Sequence, residues 1–559
     1  MKNIATSLLA LLFALSFVGC TKDFLDVNKD PNRPETADLS HLLSGGEYTM
    51  VQAFSQGNFI GNNLSSYVHQ LVSREVQNYG MNPQANNPLN TWNYAYTHAL
   101  SEFDAIIKVA TPDGNLIYAG IAKTLKAYAF SVMVDLWGDI PYSKFNVSGV
   151  TAPHPDHSAV IYNSLIALLE DARADLSDTT AANPLKPAGD DLLYAGNAAK
   201  WLRLCNTLKL KLLLQSRKAK SDVTEWQTKL SDLVGEGSFI ASGEDFQFWF
   251  NEKTNPADQR HPAYLAEYGG MQTTYYVSPF FYEIMKGQTH NCTANPFAGV
   301  EDPRVPYYFY NQLKKEEKDM GSKLYEYRNG EFVSIFFATL GSNSSVANDN
   351  LLTKVGLYLC GGKYDDGAGG RVTQYNAGNG YAPHKMLTFA ALKFMLAELV
   401  LAGETSGDAR ALLKEAMEAA VDHVNSVASK QKNVPAITNA ARDSFTGDIL
   451  AKYDAAPDNS GRMEIVMTQK WIANVFNPVD AYTDYRRTGY PTLFAPERTS
   501  NPGYGVNLTP NNYSPAQVPI RSIAQFPRSL YYPVTSETDL NPNLKQKIDL
   551  SAKLLFWDK

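Results

Sequence analysis

The sequence predicts a mainly α protein, a scaffold of tetratricopeptide-like helix pairs packed against an irregular, loop-rich half. Three observations carry this. Long stretches with apolar residues at helical spacing occur toward both ends of the chain. In the first half, helix starts at positions 115, 158 and 197 recur about every 40 residues, near the spacing of helical-hairpin repeats. From about Gly243 to Pro383 that periodicity gives way to turn signals and aromatic residues.

In chain order, Lys2 precedes a run over residues 4–18 that is apolar except for Thr6, Ser7 and Ser16. A basic start, a short apolar core and small residues before a break read as an export signal, residues 1–19. The run is too short for a membrane-spanning helix, which needs about 20 residues. Cys20 follows Val18-Gly19, and the stretch resembles a bacterial lipobox, in which the cysteine becomes the lipidated first residue. Each buried methylene of an acyl chain contributes ~0.8 kcal/mol, so two or three chains anchor a protein firmly. Residues 20–37 are rich in Asp, Asn and Pro without an apolar face and read as an extended tether.

Helical scaffold is expected over residues 38–242. "LSSYVHQLVSREVQNYG" (64–80) carries an apolar stripe that ends at Gly80. The helix of 115–142 runs to about Trp137 and is stopped by Gly138 and Pro141. Helices follow over 158–176 and 197–217, the latter with Asn197 as N-cap. Residues 243–382 form the loop-rich region expected to bind ligand, and 383–559 continue the scaffold with C-terminal loops. In that last part, helices are predicted over 384–403, 407–427 and 462–476. Trp137, Trp201 and Trp471 sit on apolar helical faces and belong to the core. Cys205, at helical spacing with Trp201 and Leu208, reads as a buried free thiol, and a Cys292–Cys360 disulfide is open in an oxidising compartment.

A net charge of −7 argues against a nucleic-acid partner, which would favour a basic face. The chain has no GxSxG elbow, no HExxH and no phosphate-binding loop. "HPDH" (154–157) reads as a surface loop before a helix rather than a metal site. "YDDGAGG" (364–370) has the acids and glycines of a calcium loop without the alternating ligands, and reads as a turn. With 57 acidic residues, the carboxylate pair of a glycoside hydrolase is neither supported nor excluded.

Binding is better supported. The chain holds 32 Tyr, 26 Phe and 7 Trp. Flat aromatic faces cover the apolar C–H faces of a sugar, while Asn, Gln, Asp and Arg bond its hydroxyls. Three segments mix the two kinds of residue. They are "NNPLNTWNYAY" (86–96) with Trp92, "MQTTYYVSP" with Tyr275 and Tyr276, and "TQYNAGNGYAP" with Tyr375, Asn379 and Tyr381. Arg486-Arg487 reads as pairing with Asp480 or Asp484 to lock a helix end.

Several blocks together resemble the SusD/RagB-like outer-membrane nutrient-binding lipoproteins. They are "DFLDVNKDPNRP" behind Cys20, "VDLWGDIPYS", "DLLYAGNAAKWLRLCNTLKLKLLLQSR", "MLTFAALKFMLAELVLAG", "QKWIANVFNPVDAYTDYRRTGYPTL", "FPRSLYYP" and "LLFWDK". They follow the family's order and span nearly the whole chain. The resemblance implies a lipid anchor at Cys20 on the outer face of an outer membrane. It implies a SusC-like, TonB-dependent transporter as partner, capped by the lipoprotein as a hinged lid. It implies capture of oligosaccharides or, in the RagB branch, peptides; the tyrosine-rich loops lean toward glycan, and a surface glycan hydrolase is the third reading. Relatives place an aromatic platform near the first helix pair, which singles out Trp92. No cofactor is implied, with structural calcium, which some relatives hold, as the alternative.

Overall fold

The computed structural model describes residues 38–73, 79–269, 275–289, 294–315, 327–338, 351–492 and 525–559. The export signal, Cys20, the tether and Cys292 lie outside the described residues. Two sets of long helices frame the fold. The first comprises α1 (Leu39–Phe54), α2 (Leu100–Ala110), α3 (Leu116–Trp137), α4 (Ser158–Ser177), α5 (Ala198–Gln215) and α6 (Trp226–Glu236). The second comprises α7 (Phe389–Leu401), α8 (Ala409–Ala428), α9 (Asn439–Ala455), α10 (Asn459–Ala473) and α11 (Pro478–Thr488). Successive helices pack on one another, α2 on α3, α3 on α4, α4 on α5, and α7 on α8, as the helix-pair reading requires.

Local chemistry sets these boundaries. The Asn197 side chain accepts the Lys200 N–H at 3.1 Å and starts α5. Thr388 and Asp408 do the same for Ala391 and Ala411 at the starts of α7 and α8. α3 ends at Gly138, whose φ of +79° favours glycine. Of the 22 residues of α3, 18 are buried, so this helix is an axis of the core rather than a surface element.

Between the two sets, the described residues form short helices and four two-stranded antiparallel sheets. β1 (Leu71–Ser73) pairs with β3 (Tyr275–Val277), β2 (Phe246–Trp249) with β8 (Pro383–Leu387), β4 (Phe309–Tyr310) with β7 (Lys354–Val355), and β5 (Tyr327–Asn329) with β6 (Phe332–Ser334).

Two helix predictions need correction. The helix expected over 64–80 spans Gly61–Tyr67. His69 takes φ +56°, the Gln70 N–H bonds Ser65 O at 2.9 Å and the His69 N–H bonds Ser66 O at 3.0 Å, which closes the helix with a Schellman turn. The following residues become β1 because β3 offers them a partner. Likewise, the first residues of the helix expected at 384 are β8, paired with β2, and α7 begins only after Thr388.

Helix α11 binds the two sets together through buried charge. Arg487 forks onto Glu398 of α7, its Nη2 2.7 Å from Oε2, and reaches Asp484 at 2.8 Å. Lys470 of α10 sits 2.8 Å from Asp484, and Lys211 of α5 sits 2.5 Å from Asp480. Burial opposes the charge on Glu398, but Arg487 outweighs it and holds the carboxyl below its usual range. The expected Arg487–Asp484 pair is present; Arg486 instead donates to the carbonyls of Asp135 at 2.6 Å and Arg528 at 2.7 Å.

The C-terminal residues complete α3. The Leu530 N–H donates to Leu136 O at 2.9 Å, Trp137 Nε1 donates to Tyr531 O at 2.8 Å, and Lys547 Nζ donates to Trp137 O at 2.6 Å. Helix ends leave carbonyls without intrahelical partners, and here a distant segment supplies them.

Trp137, Trp201 and Trp471 are buried as expected. Cys205 is a buried free thiol 3.1 Å from Thr124 Oγ1, with burial pushing its pKa up to about 12. Cys360 is also buried; Cys292, its partner in the disulfide left open by the sequence, lies outside the described residues. Among the described residues no helix is long and apolar enough to cross a membrane.

Candidate functional site

A groove of about 660 Å³ opens where α1, strand β2 and the loop after it meet. α1 contributes Tyr48 and Gln52, one turn apart and therefore on one face. β2 contributes Phe248 and Trp249. Phe246, at the start of the strand, is fully buried and packs 5.1 Å from Tyr128. An irregularity in the β2–β8 register between Phe246 and Gln247 precedes the two ring-bearing residues that both line the groove. Phe248 meets Tyr48 at 6.2 Å and Phe250 at 5.1 Å. Tyr48 and Leu192, 47% and 43% exposed, are two of the larger apolar side chains this surface leaves open.

The polar groups of the groove are paired amides and one ion pair. Asn58 Nδ2 donates to Gln52 Oε1 at 2.7 Å, and Asn251 Nδ2 donates to Gln259 Oε1 at 2.7 Å. Arg260 grips Asp258 with two bonds, Nε to Oδ1 at 2.9 Å and Nη2 to Oδ2 at 2.6 Å. The guanidinium carbon lies 4.1 Å from the centroid of Tyr375, which stacks in turn on Tyr264 at 5.7 Å. Tyr375 lies so close to Gly269 that a Cβ there would fall 2.0 Å from its hydroxyl.

Beneath this floor the packing is tight. His384 pairs with Phe248 across the sheet, and His261 packs 4.9 Å from Phe250. Both are fully buried, and burial lowers the pKa of each to about 3. Gln247, on the strand's other face, bonds His423 at 2.7 Å, and His423 Nδ1 lies 3.0 Å from the Tyr358 hydroxyl. Burial takes Lys385 down to about 7.

Residues 31–507 match the SusD-like_2 family model, described as starch-binding and associating with the outer membrane. The chain belongs to this SusD-like family. The fold agrees. A chitin-binding SusD homologue from Flavobacterium johnsoniae is 18% identical, with 92% of this chain and 98% of that one covered at a TM-score of 0.61. A SusD homologue from Bacteroides fragilis is 20% identical, covering 90% and 94% at 0.60. A SusD/RagB family protein from Bacteroides thetaiotaomicron is 20% identical, covering 91% and 95% at 0.62. No curated protein matches the chain.

The SusD-like groove takes in some of the residues singled out in the sequence and leaves others elsewhere. Tyr375 flanks it against Arg260. Tyr381 stands behind Trp249 at 5.7 Å, with Lys430 Nζ over both rings. Asn379 staples this loop, its Oδ1 accepting from the Tyr381 N–H at 3.0 Å and from Gln431 at 3.1 Å. Trp92 is not a platform in this structure. It is 2% exposed, packed 4.7 Å from Tyr96, 5.2 Å from Trp137 and 6.0 Å from Tyr532. Tyr276 is buried in β3, and the half-buried Tyr275 pairs with Ser73; neither lines the groove.

Tyr48, Phe248, Trp249 and Arg260 were missed. The signal was present in "FQFWFNEKTNPADQR", an aromatic-dense strand running into a polar turn. In "HPDH", Asp156 accepts the Tyr142 and Ser143 N–H groups at 2.9 and 2.7 Å, and His157 caps α4. In "YDDGAGG", Asp365 accepts from Asn311 Nδ2 at 2.7 Å and from the Gly367 N–H at 3.0 Å. Among the described residues, no three His, Cys, Asp or Glu side chains converge as metal ligands. Among the described residues that line the groove, Asp258 is the acidic one.

Proposed function

We propose that this SusD-like chain is a surface lipoprotein that captures oligosaccharides in the Tyr48–Trp249–Arg260 groove and passes them to a SusC-like, TonB-dependent transporter. The observation that carries the reading is the groove itself, rings on its walls and amides along its rim. Such a surface matches the apolar faces and hydroxyl edges of sugar rings. The family's description as starch-binding and outer-membrane associated supports it, as does the chitin-binding relative of the same fold. In this reading Cys20 carries the lipid, residues 20–37 tether the folded part, and the protein faces the exterior of the cell.

Calorimetric titration with malto-, chito-, xylo- and manno-oligosaccharides tests it. One series is expected to bind, and Tyr48→Ala and Trp249→Ala are each expected to weaken it about tenfold, ~1.4 kcal/mol, with little change in thermal midpoint. Full affinity in both variants, or binding of peptides in place of every glycan, overturns it. Cys20→Ala is expected to move the protein from the membrane to the soluble fraction.

A further inference from the structure

Among the described residues that line the groove are one cation and one anion, and they pair with each other. Arg260 and Asp258 are separated by a single residue and share two side-chain bonds, with a third from the Arg260 N–H to Asp258 Oδ1 at 3.1 Å. A guanidinium fork is the protein group best matched to a ligand carboxylate or sulfate, because its parallel N–H bonds fit two oxygens at once. Here that edge is filled from within, and the Tyr375 ring, 4.1 Å away, covers a face. The other polar groups lining the groove, Gln52, Asn58, Asn251 and Gln259, are neutral. Lys430 lies outside the lining, over the Trp249 and Tyr381 rings.

We propose that Asp258 is a specificity determinant that masks Arg260, so that the groove accepts uncharged glycans and rejects acidic ones such as uronate oligomers. The inference rests on the glycan-binding reading above and adds the charge class of the ligand. The physical reason is competition. A uronate entering the groove contends for the fork with a carboxylate tethered two residues away, which is always at high local concentration. It also meets the negative charge of Asp258 itself, a repulsive element of the kind that separates similar ligands. The bond to Arg260 holds the Asp258 carboxyl below its usual range, so the mask stays charged in mildly acidic surroundings.

The test is Asp258→Asn in the full mature protein, titrated with oligogalacturonate and with the neutral series that the unaltered protein binds. Asp258 is on the surface, and asparagine keeps an oxygen for the Arg260 N–H. The variant is therefore expected to unfold at the same temperature, and its affinity for oligogalacturonate is read as a ratio to its own affinity for the neutral series. Its affinity for oligogalacturonate is expected to rise about tenfold and to fall back in 0.5 M NaCl, because the gain is ionic. Asp258→Asn, Arg260→Gln together is expected to lose that gain. An unaltered protein that binds oligogalacturonate as tightly as the neutral series, or a single variant without a gain, overturns the mask. If no neutral series binds while the single variant still gains oligogalacturonate, the neutral-glycan reading falls and the mask stands.

Discussion

Trp92 and Trp249 show how little a residue's own neighbourhood in sequence says about its job. Both stand in segments mixing Asn with aromatics. What buries Trp92 is Trp137 and, from far along the chain, Tyr532. Neither of these was legible near residue 92. Trp92→Ala is therefore expected to open a core cavity costing about 3–5 kcal/mol and to lower the thermal midpoint. Gly269→Ala is expected to behave in the opposite way. Its Cβ would collide with the Tyr375 hydroxyl and displace that ring from Arg260. Ligand affinity should fall while the midpoint scarcely moves, and differential scanning fluorimetry beside calorimetric titration separates the two outcomes.

Among the elements, those finished by their own residues were the legible ones. α3, α4, α5 and α8 lie within about two residues of their predicted bounds, because Gly138, His157, Asn197 and Asp408 end or cap them locally. The failures at 71–73 and 384–387 share one cause. Those residues are strands, and their partners lie some two hundred and some one hundred and forty positions away in β3 and β2. An apolar run long enough for a helical turn cannot announce a partner that distant. The groove depends on the β2–β8 pairing, which is why its walls went unread. α11 was read only through its arginines, and its stability is testable. Removing one member of a buried ion pair strands the other, so Glu398→Ala is expected to cost about 3–5 kcal/mol in urea unfolding. Adding Arg487→Met should return part of that loss. If the two substitutions cost the sum of their separate effects, the pair is not coupled.

At the scale of the whole molecule, the response to acid follows from which groups were buried neutral. His69, His261, His384 and His423 are all lowered by burial to about 3 from an ordinary 6.5. The unfolded chain binds those protons first, so their contribution is complete above pH 6.5 and is lost as pH falls toward 3. Buried carboxyls act in the other direction. Burial raises Glu267 to about 7 and Asp135 to about 6, so they favour the folded state at low pH and lose that effect as pH rises through those values. Between about pH 4.5 and 6.5 the two slopes oppose each other, and below that range the histidines act unopposed. The thermal midpoint is expected to stay nearly flat across that interval and to drop steeply beneath it. His384 has no hydrogen-bond partner for either ring nitrogen among the described residues. His384→Gln should therefore make the acid limb shallower; an unchanged limb would mean that other groups set it.

The closure of α3 by residues 530, 531 and 547 bears on the order in which the molecule can be made. A chain emerges from the ribosome N-terminus first at about 5–20 residues per second. The central helix is therefore synthesised long before the groups that finish it. Until the last residues arrive, the carbonyls behind Gly138 face solvent and Trp137 lacks its carbonyl partner. The final thirty-five residues, almost bare of regular structure, act as the clasp that locks the scaffold. A chain shortened by that length would keep every long helix in sequence yet leave the axis of its core unsealed, a form open to proteolysis.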